Sequence, residues 1–340
     1  MTASSPPHLA AVRPTWAIES SRVDLEGSGF AVASELPPAV TIGDRAAQVV
    51  LASSARLGIV VPAGVGGGRR PVRVAGISGE TAFIDVGEPC ATGLHQVDNP
   101  VFDREGNLYV TYSGARGQRV AVSVFRVGRD GRREPFVSGL VNATSMMFGP
   151  DGVLHVSSRF EGTVYRIHAD GTAEPFVTEL GVACGLAFDA DGTLFVGDRS
   201  GTVFRVAPDG QATPFAALPP SVAAYHLAVG PDRALYVTAP TLDSYDPVYR
   251  VAPDGTVGVV PSSFGRPQGL AFDSQGRLYV VEALAGASGL YRVGLDGSRE
   301  LVLSGPGLVG VAFDPGGGLV VTSNETAYRI DVPARPLALW

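Results

Sequence analysis

The chain contains no lysine; all 26 of its basic residues are arginine. That absence excludes a Schiff-base lysine and a Walker-type phosphate lysine, two devices that need a primary amine. Compositional bias of the genome is the simplest origin for it. Cysteine is scarce as well: Cys90 and Cys184 are far apart in sequence and lack metal-ligand spacing, so both read as free, buried thiols. No apolar run reaches the 18 or so residues that a membrane-spanning helix requires. The N-terminus has neither a charged n-region nor an apolar h-region. A cytoplasmic location is therefore expected for the chain as written, or an extracytoplasmic one if a signal has been removed.

What is present is apolar, glycine-rich and mildly acidic. Hydrophobic residues make up 45% of the 340 positions and charged residues only 17%, which fits a compact globular protein. Net charge is −7. Seven arginines face eight acids before residue 89 and 19 face 25 after it, so neither part has the basic surface that nucleic acid demands.

From about residue 97 one phrase recurs six times: Asn99-Pro-Val-Phe-Asp103, Ser145-Met-Met-Phe-Gly149, Gly185-Leu-Ala-Phe-Asp189, His226-Leu-Ala-Val-Gly230, Gly269-Leu-Ala-Phe-Asp273 and Gly310-Val-Ala-Phe-Asp314. The middle residues are separated by 46, 40, 41, 43 and 41 positions, the period of a repeat architecture. Each phrase is followed by a turn, a second strand such as Asn107-Leu-Tyr-Val110, a third such as Thr163-Val-Tyr-Arg-Ile167, an Asp-Gly turn and a fourth strand. Asp-Gly between apolar runs predicts hairpins with type I′ turns. Six four-stranded units arranged around an axis would cover one another's faces. The expectation is a six-bladed β-propeller over residues 89–340, without helices. Its last blade is read as coming largely from the C-terminal end, since Gly310 to Trp340 reads as four strands.

Residues 1–88 follow another pattern, seven short strands in about 75 residues, which predicts a small β-sandwich. Pro14, Gly27-Ser-Gly-Phe30, Ile42-Gly43, Val61-Pro-Ala-Gly64 and Pro71-Val-Arg-Val74 give this segment a resemblance to IPT/TIG immunoglobulin-like domains. The fold class expected is thus all-β: a small N-terminal immunoglobulin-like β-sandwich followed by a six-bladed β-propeller. Gly64-Val-Gly-Gly-Gly-Arg-Arg70 has the composition of a phosphate cradle but not its strand-then-helix context, and reads as a hairpin loop.

In such a ring the starts of the inner strands and the loops after the second strands share one mouth, the natural place for a ligand. Asn142, Arg159, Arg199, Tyr225, His226 and Glu282 are the ligand-binding candidates there. Arg159 and Arg199, in equivalent loops of neighbouring units, suit a carboxylate or phosphate, or else pair with Glu161 and Asp198. His226 stands where four other units carry Gly or Ser; His95 precedes the first inner strand and is placed near the same mouth. No Gly-x-Ser-x-Gly, His-Glu-x-x-His or clustered His/Cys set occurs.

The phrases Gly-Leu-Ala-Phe-Asp, Asp-Gly-x-Leu-Tyr-Val and Val-Tyr-Arg-Val resemble six-bladed NHL-repeat propellers and the gluconolactonase/regucalcin superfamily. That resemblance implies a divalent cation, often calcium, at the channel mouth, where it polarises a lactone carbonyl. Carried over by position, the metal ligands fall on Asp98, Tyr225 and Gln268, of which Asp98 and Gln268 are the metal candidates. Two functions follow as expectations. One is a propeller-based binding or scaffold protein presenting the mouth to a protein partner or small ligand. The other is a metal-dependent lactonase-type hydrolase.

Overall fold

A computed structural model describes every residue except 1–5, 33–35, 79–80, 285, 287, 333 and 339–340. The described residues contain strands, turns and irregular segments and no helix. The protein is all-β with a β-propeller arrangement.

Four consecutive antiparallel units have four strands each: Val101–Phe102 to Arg133–Val137, Ala143–Phe148 to Ala173–Val177, Ala183–Phe188 to Ala212–Ala217, and His226–Val229 to Val257–Phe264. A fifth separate sheet joins Leu308–Phe313, Leu319–Ser323 and Thr326–Ile330 to an outer strand, Glu88–Thr92, from the other end of the repeat region. This corrects the expectation that the last blade comes largely from one end. The described residues beyond Ile330 add no fourth strand, and Glu88–Thr92 pairs antiparallel with Thr326–Arg329, so the two ends of the ring are interlocked by backbone hydrogen bonds.

Six free-standing four-stranded sheets are expected from the repeats, and five are found. The strands Pro267–Phe272, Leu278–Glu282, Gly289–Val293 and Arg299–Ser304 follow the same plan but belong to a 12-stranded sheet. The cause is the short strand Trp16–Ala17, which pairs in parallel with Leu303–Ser304 on one side and Asp85–Val86 on the other, stitching this unit to the N-terminal strands. Ser21 and Ser304 reinforce the seam: Ser21 Oγ donates to the Ser304 carbonyl at 2.7 Å, and Ser304 Oγ donates to the Arg22 carbonyl at 2.7 Å. Ile18 is buried in the same apolar cluster as Leu303, Leu308 and Ile330. The N-terminal strands, from His8–Arg13 to Ala82–Val86, enclose a cluster of their own that includes Leu25, Ile42, Ile59 and Ile84.

The inner strand of each repeat touches the next in chain order, and the last touches the first. The upper end of the axis is where these strands begin; the lower end is where the Asp-Gly turns follow. The turns themselves differ from the type I′ expectation. Gly131, Gly171, Gly210, Gly255 and Gly297 have positive φ, whereas the preceding aspartates do not. In the first of these turns Gly128 N–H donates to the Arg132 carbonyl and Gly131 N–H to the Gly128 carbonyl, a three-residue loop closed by one left-handed glycine. Asp keeps its ordinary φ because its carboxylate has another task. It accepts the backbone N–H two residues on, as Asp130 does from Arg132 and Asp254 from Thr256, both within 3.0 Å.

Neighbouring units are locked by a repeated edge-to-face aromatic contact. The Phe ending one inner strand meets the aromatic side chain of the preceding unit's second strand: Tyr109–Phe148 at 5.3 Å, Tyr236–Phe272 at 4.9 Å and Tyr279–Phe313 at 5.1 Å. His155 occupies the equivalent position and meets Phe188 at 5.0 Å. Burial pushes its pKa down to about 4, Nδ1 lies 3.1 Å from the Val153 carbonyl, and Nε2 accepts from Arg166 Nε at 3.3 Å. A histidine with a depressed folded-state pKa binds more protons when unfolded between pH 6.5 and 4, so stability falls as pH drops through that window. The expected loss is on the order of 3 kcal/mol by pH 4. His155→Tyr restores the aromatic of the other units and removes the titration; urea midpoints of the two proteins at pH 7 and 4.5 should therefore diverge at the acid end. Parallel acid losses would contradict this assignment.

Candidate ligand site at the upper mouth

Two of the candidates meet across the axis. Asp98, just before the first inner strand, and His226, at the start of the fourth, are 2% and 0% exposed, and His226 Nδ1 lies 2.5 Å from Asp98 Oδ1. The same carboxylate oxygen accepts the Asn99 N–H at 2.7 Å. With Nδ1–H donating to the carboxylate, Nε2 is the ring's remaining polar atom, and it is buried with no hydrogen-bond partner among the described residues. Two hydroxyls are equally unpartnered and buried, Ser113 Oγ and Thr322 Oγ1.

Three other candidates are structural. Asn142, at φ 50°, donates through Nδ2 to the carbonyls of Ser113 and Ala115 at 2.8 Å and accepts the Gly117 N–H at 2.7 Å, so its whole amide is spent holding the 113–117 loop. Glu282 accepts the backbone N–H groups of Gly265, Arg266 and Leu284 at 2.6 to 2.8 Å. Tyr225 is fully buried, its hydroxyl donating to the Pro219 carbonyl and its pKa pushed up by burial. These side chains were expected to face a ligand. They instead satisfy backbone groups that would otherwise be buried without partners.

The metal candidates do not gather into a donor set. Asp98 is engaged by His226 and Asn99, Gln268 is buried with its backbone carbonyl accepting from Thr238 Oγ1, and among the described residues no three His, Cys, Asp or Glu side chains converge. A hard divalent cation needs several oxygen ligands, preferably carboxylates, and this mouth does not offer them.

Arg159 and Arg199 behave differently. Among the described residues neither guanidinium has a hydrogen-bond or ion-pair partner. The pairings with Glu161 and Asp198 do not form, because Glu161 accepts the Tyr165 hydroxyl at 2.9 Å and Asp198 accepts the Val182 and Ser200 N–H groups at 2.9 and 3.1 Å. Burial lowers the pKa of Arg159, and the charge of Arg199 lowers it further. His95 lies against the same cation: its pKa is lowered by burial and then by Arg159, and its ring meets Tyr112 edge-on at 6.1 Å. Beneath the arginines, burial pushes the Cys184 thiol up to about 12, so it is no thiolate nucleophile. Both cysteines are free. Tyr112, Phe160, Leu242, Tyr245 and Leu284 are exposed in the loops at this end. The glycine-rich segment is not the expected hairpin loop: 64–67 connects two strands that do not pair, and Gly68 to Arg70 open the strand Gly68–Val74, with Arg70 donating to the Gly67 carbonyl at 2.7 Å.

No protein-family model and no curated protein matches the chain. Solved structures do. A putative gluconolactonase is 20% identical, with 74% of this chain and 93% of that one covered at a TM-score of 0.61. An auxiliary nutrient binding protein from Bacteroides ovatus is 13% identical over 96% of this chain and 98% of its own, TM-score 0.56. Virginiamycin B lyase from Staphylococcus aureus, solved with quinupristin as a catalytically inactive histidine-to-alanine variant, is 14% identical over 92% and 100%, TM-score 0.51. Identities this low establish a shared fold and no more.

Sequence reasoning named Asp98, His226 and the two arginines one by one. It missed the Asp98–His226 contact, which joins residues 128 apart in the chain. It also missed Asn99, whose Nδ2 donates to the Leu270 carbonyl at 2.9 Å and whose Oδ1 accepts the Val311 N–H at 2.9 Å, tying three inner strands together. The signal for Asn99 was available: it stands alone at a position that is Gly in three other units.

Proposed function

We propose that the protein is a propeller-based binding protein whose upper mouth takes a small ligand bearing a carboxylate or phosphate. The observation that carries this reading is the pair Arg159 and Arg199, two guanidiniums on adjacent units, Arg159 half-buried, with no anion among the described residues to neutralise them. An uncompensated, partly buried cation is costly, and a planar five-donor fork is matched by a bidentate oxyanion. Exposed Tyr112 and Phe160 would cover an apolar portion of the same ligand. Within this proposal Pro267–Ser304 serves as a sixth blade, and residues 1–88 as an IPT/TIG-like sandwich that buttresses it. Binding proteins for nutrients exist on this fold, as the Bacteroides ovatus relative shows for itself.

Thermal unfolding with citrate, inorganic phosphate and uncharged glycerol tests the reading. A ligand that binds only the native state raises the melting temperature. The two anions should raise it, glycerol should not, the effect should shrink in salt, and Arg159→Gln/Arg199→Gln should abolish it. No anion-specific shift, or one unchanged in the double variant, contradicts the proposal.

A hydrolase or lyase is the second reading, favoured by the unpartnered Nε2 of His226, positioned by Asp98 as a general base is. It predicts turnover of lactone or ester substrates that His226→Ala removes; the binding reading predicts no turnover in either protein.

A further inference from the structure

At the lower end of the axis, remote from the arginines, lies a cavity of about 590 Å³ walled by all six inner strands. Met147, Ala187, Ala228, Ala271 and Ala312, middle residues of the recurring phrase, line it, and the C-terminal segment forms one side through Leu337. That segment is fixed: Ser274 N–H donates to the Arg335 carbonyl at 2.8 Å and Leu337 N–H to the Phe272 carbonyl at 3.1 Å.

The chemistry of the wall is one-sided. Asn99 is also part of the lining, but its amide is already spent on Leu270 and Val311. The charged lining residues, Asp103, Arg104 and Glu105, all belong to the one turn that follows the first inner strand. Asp103 accepts the Asn107 N–H at 2.8 Å and Arg104 donates to the Pro150 carbonyl at 3.0 Å. None of Asp98, Arg159, Arg199 and His226 contributes to the wall. The volume falls within the roughly 300–1,000 Å³ of small-ligand sites, and four alanines stand where larger side chains would have filled the space. A core that only needed packing would be close-packed, since voids forfeit dispersion contacts.

We propose that this lower cavity is a second ligand site, separate from the upper mouth, for a neutral apolar small molecule. Neutrality follows because the six inner strands contribute no charged side chain to the wall, so a charged group seated among them would lose its hydration without replacement.

N-phenyl-1-naphthylamine, a neutral probe that brightens in apolar surroundings, tests this in the full chain. A saturable rise in fluorescence is expected at one probe per protein. Ala228→Leu/Ala312→Leu fills the cavity and should weaken binding at least tenfold. Leu337→Glu, which places a charge on the wall from a partly exposed segment, should do the same and guards against misfolding of the first variant. Arg159→Gln/Arg199→Gln should leave probe affinity unchanged, so failure of the upper-mouth proposal would not affect this result. Absence of saturable binding, or affinity unaltered in cooperatively unfolding cavity variants, overturns the proposal.

Discussion

Replacing Asp98 by alanine is expected to lower stability by about 3 kcal/mol, because it strands a fully buried imidazole N–H that has lost its hydrogen-bond partner. The Asn99 N–H loses its acceptor at the same time. Asp98→Asn retains an oxygen for that N–H and for Nδ1–H, and should cost less than half as much. Urea unfolding of both variants gives the comparison. An alanine variant within about 0.5 kcal/mol of the parent would mean that the contact spanning the axis contributes nothing. The double variant Asp98→Ala/His226→Phe should recover part of the loss, since removing both partners avoids an unpaired buried group.

Gly269→Ala should be nearly as damaging. A Cβ at residue 269 would lie 2.1 Å from Asn99 Oδ1 and 2.8 Å from the Gly310 Cα, and the second of these is backbone that cannot rotate away. Overpacking of this kind costs about 3 kcal/mol, and here it also displaces the Asn99 side chain that ties three strands. Gly258→Ala is the control. Its Cβ would meet only the Arg250 carbonyl oxygen at 3.8 Å, so its midpoint should stay within about 0.5 kcal/mol of the parent. Equal effects at the two glycines would contradict the close approach of the inner strands.

The Gly in Gly-Leu-Ala-Phe-Asp thus has a cause that the repeat alone does not reveal. Periodicity made the four-stranded units legible, because alternating apolar residues and Asp-Gly turns act locally and recur about every 40 residues. Pairings between distant segments were not legible. Glu88–Thr92 has no repeat signature that marks it as the partner of Thr326–Ile330, and two residues, Trp16–Ala17, suffice to merge a unit with the N-terminal strands. The same limit applies to the site. Arg159 and Arg199 could be placed by their equivalent loops, but Asn142 and Glu282 carry the same chemistry as ligand-binding residues, and only their backbone partners show that they are spoken for. His155 is the converse case. Its position within a second strand is readable from the sequence, and its place in the series Tyr109, Tyr236, Tyr279 explains it as packing.

A crystal structure of the protein grown with citrate tests the central claim most directly. The prediction is a carboxylate within about 3 Å of both guanidiniums, Arg159 and Arg199, above an intact Asp98–His226 contact. An empty mouth at saturating citrate, with either arginine turned onto Glu161 or Asp198, would contradict it.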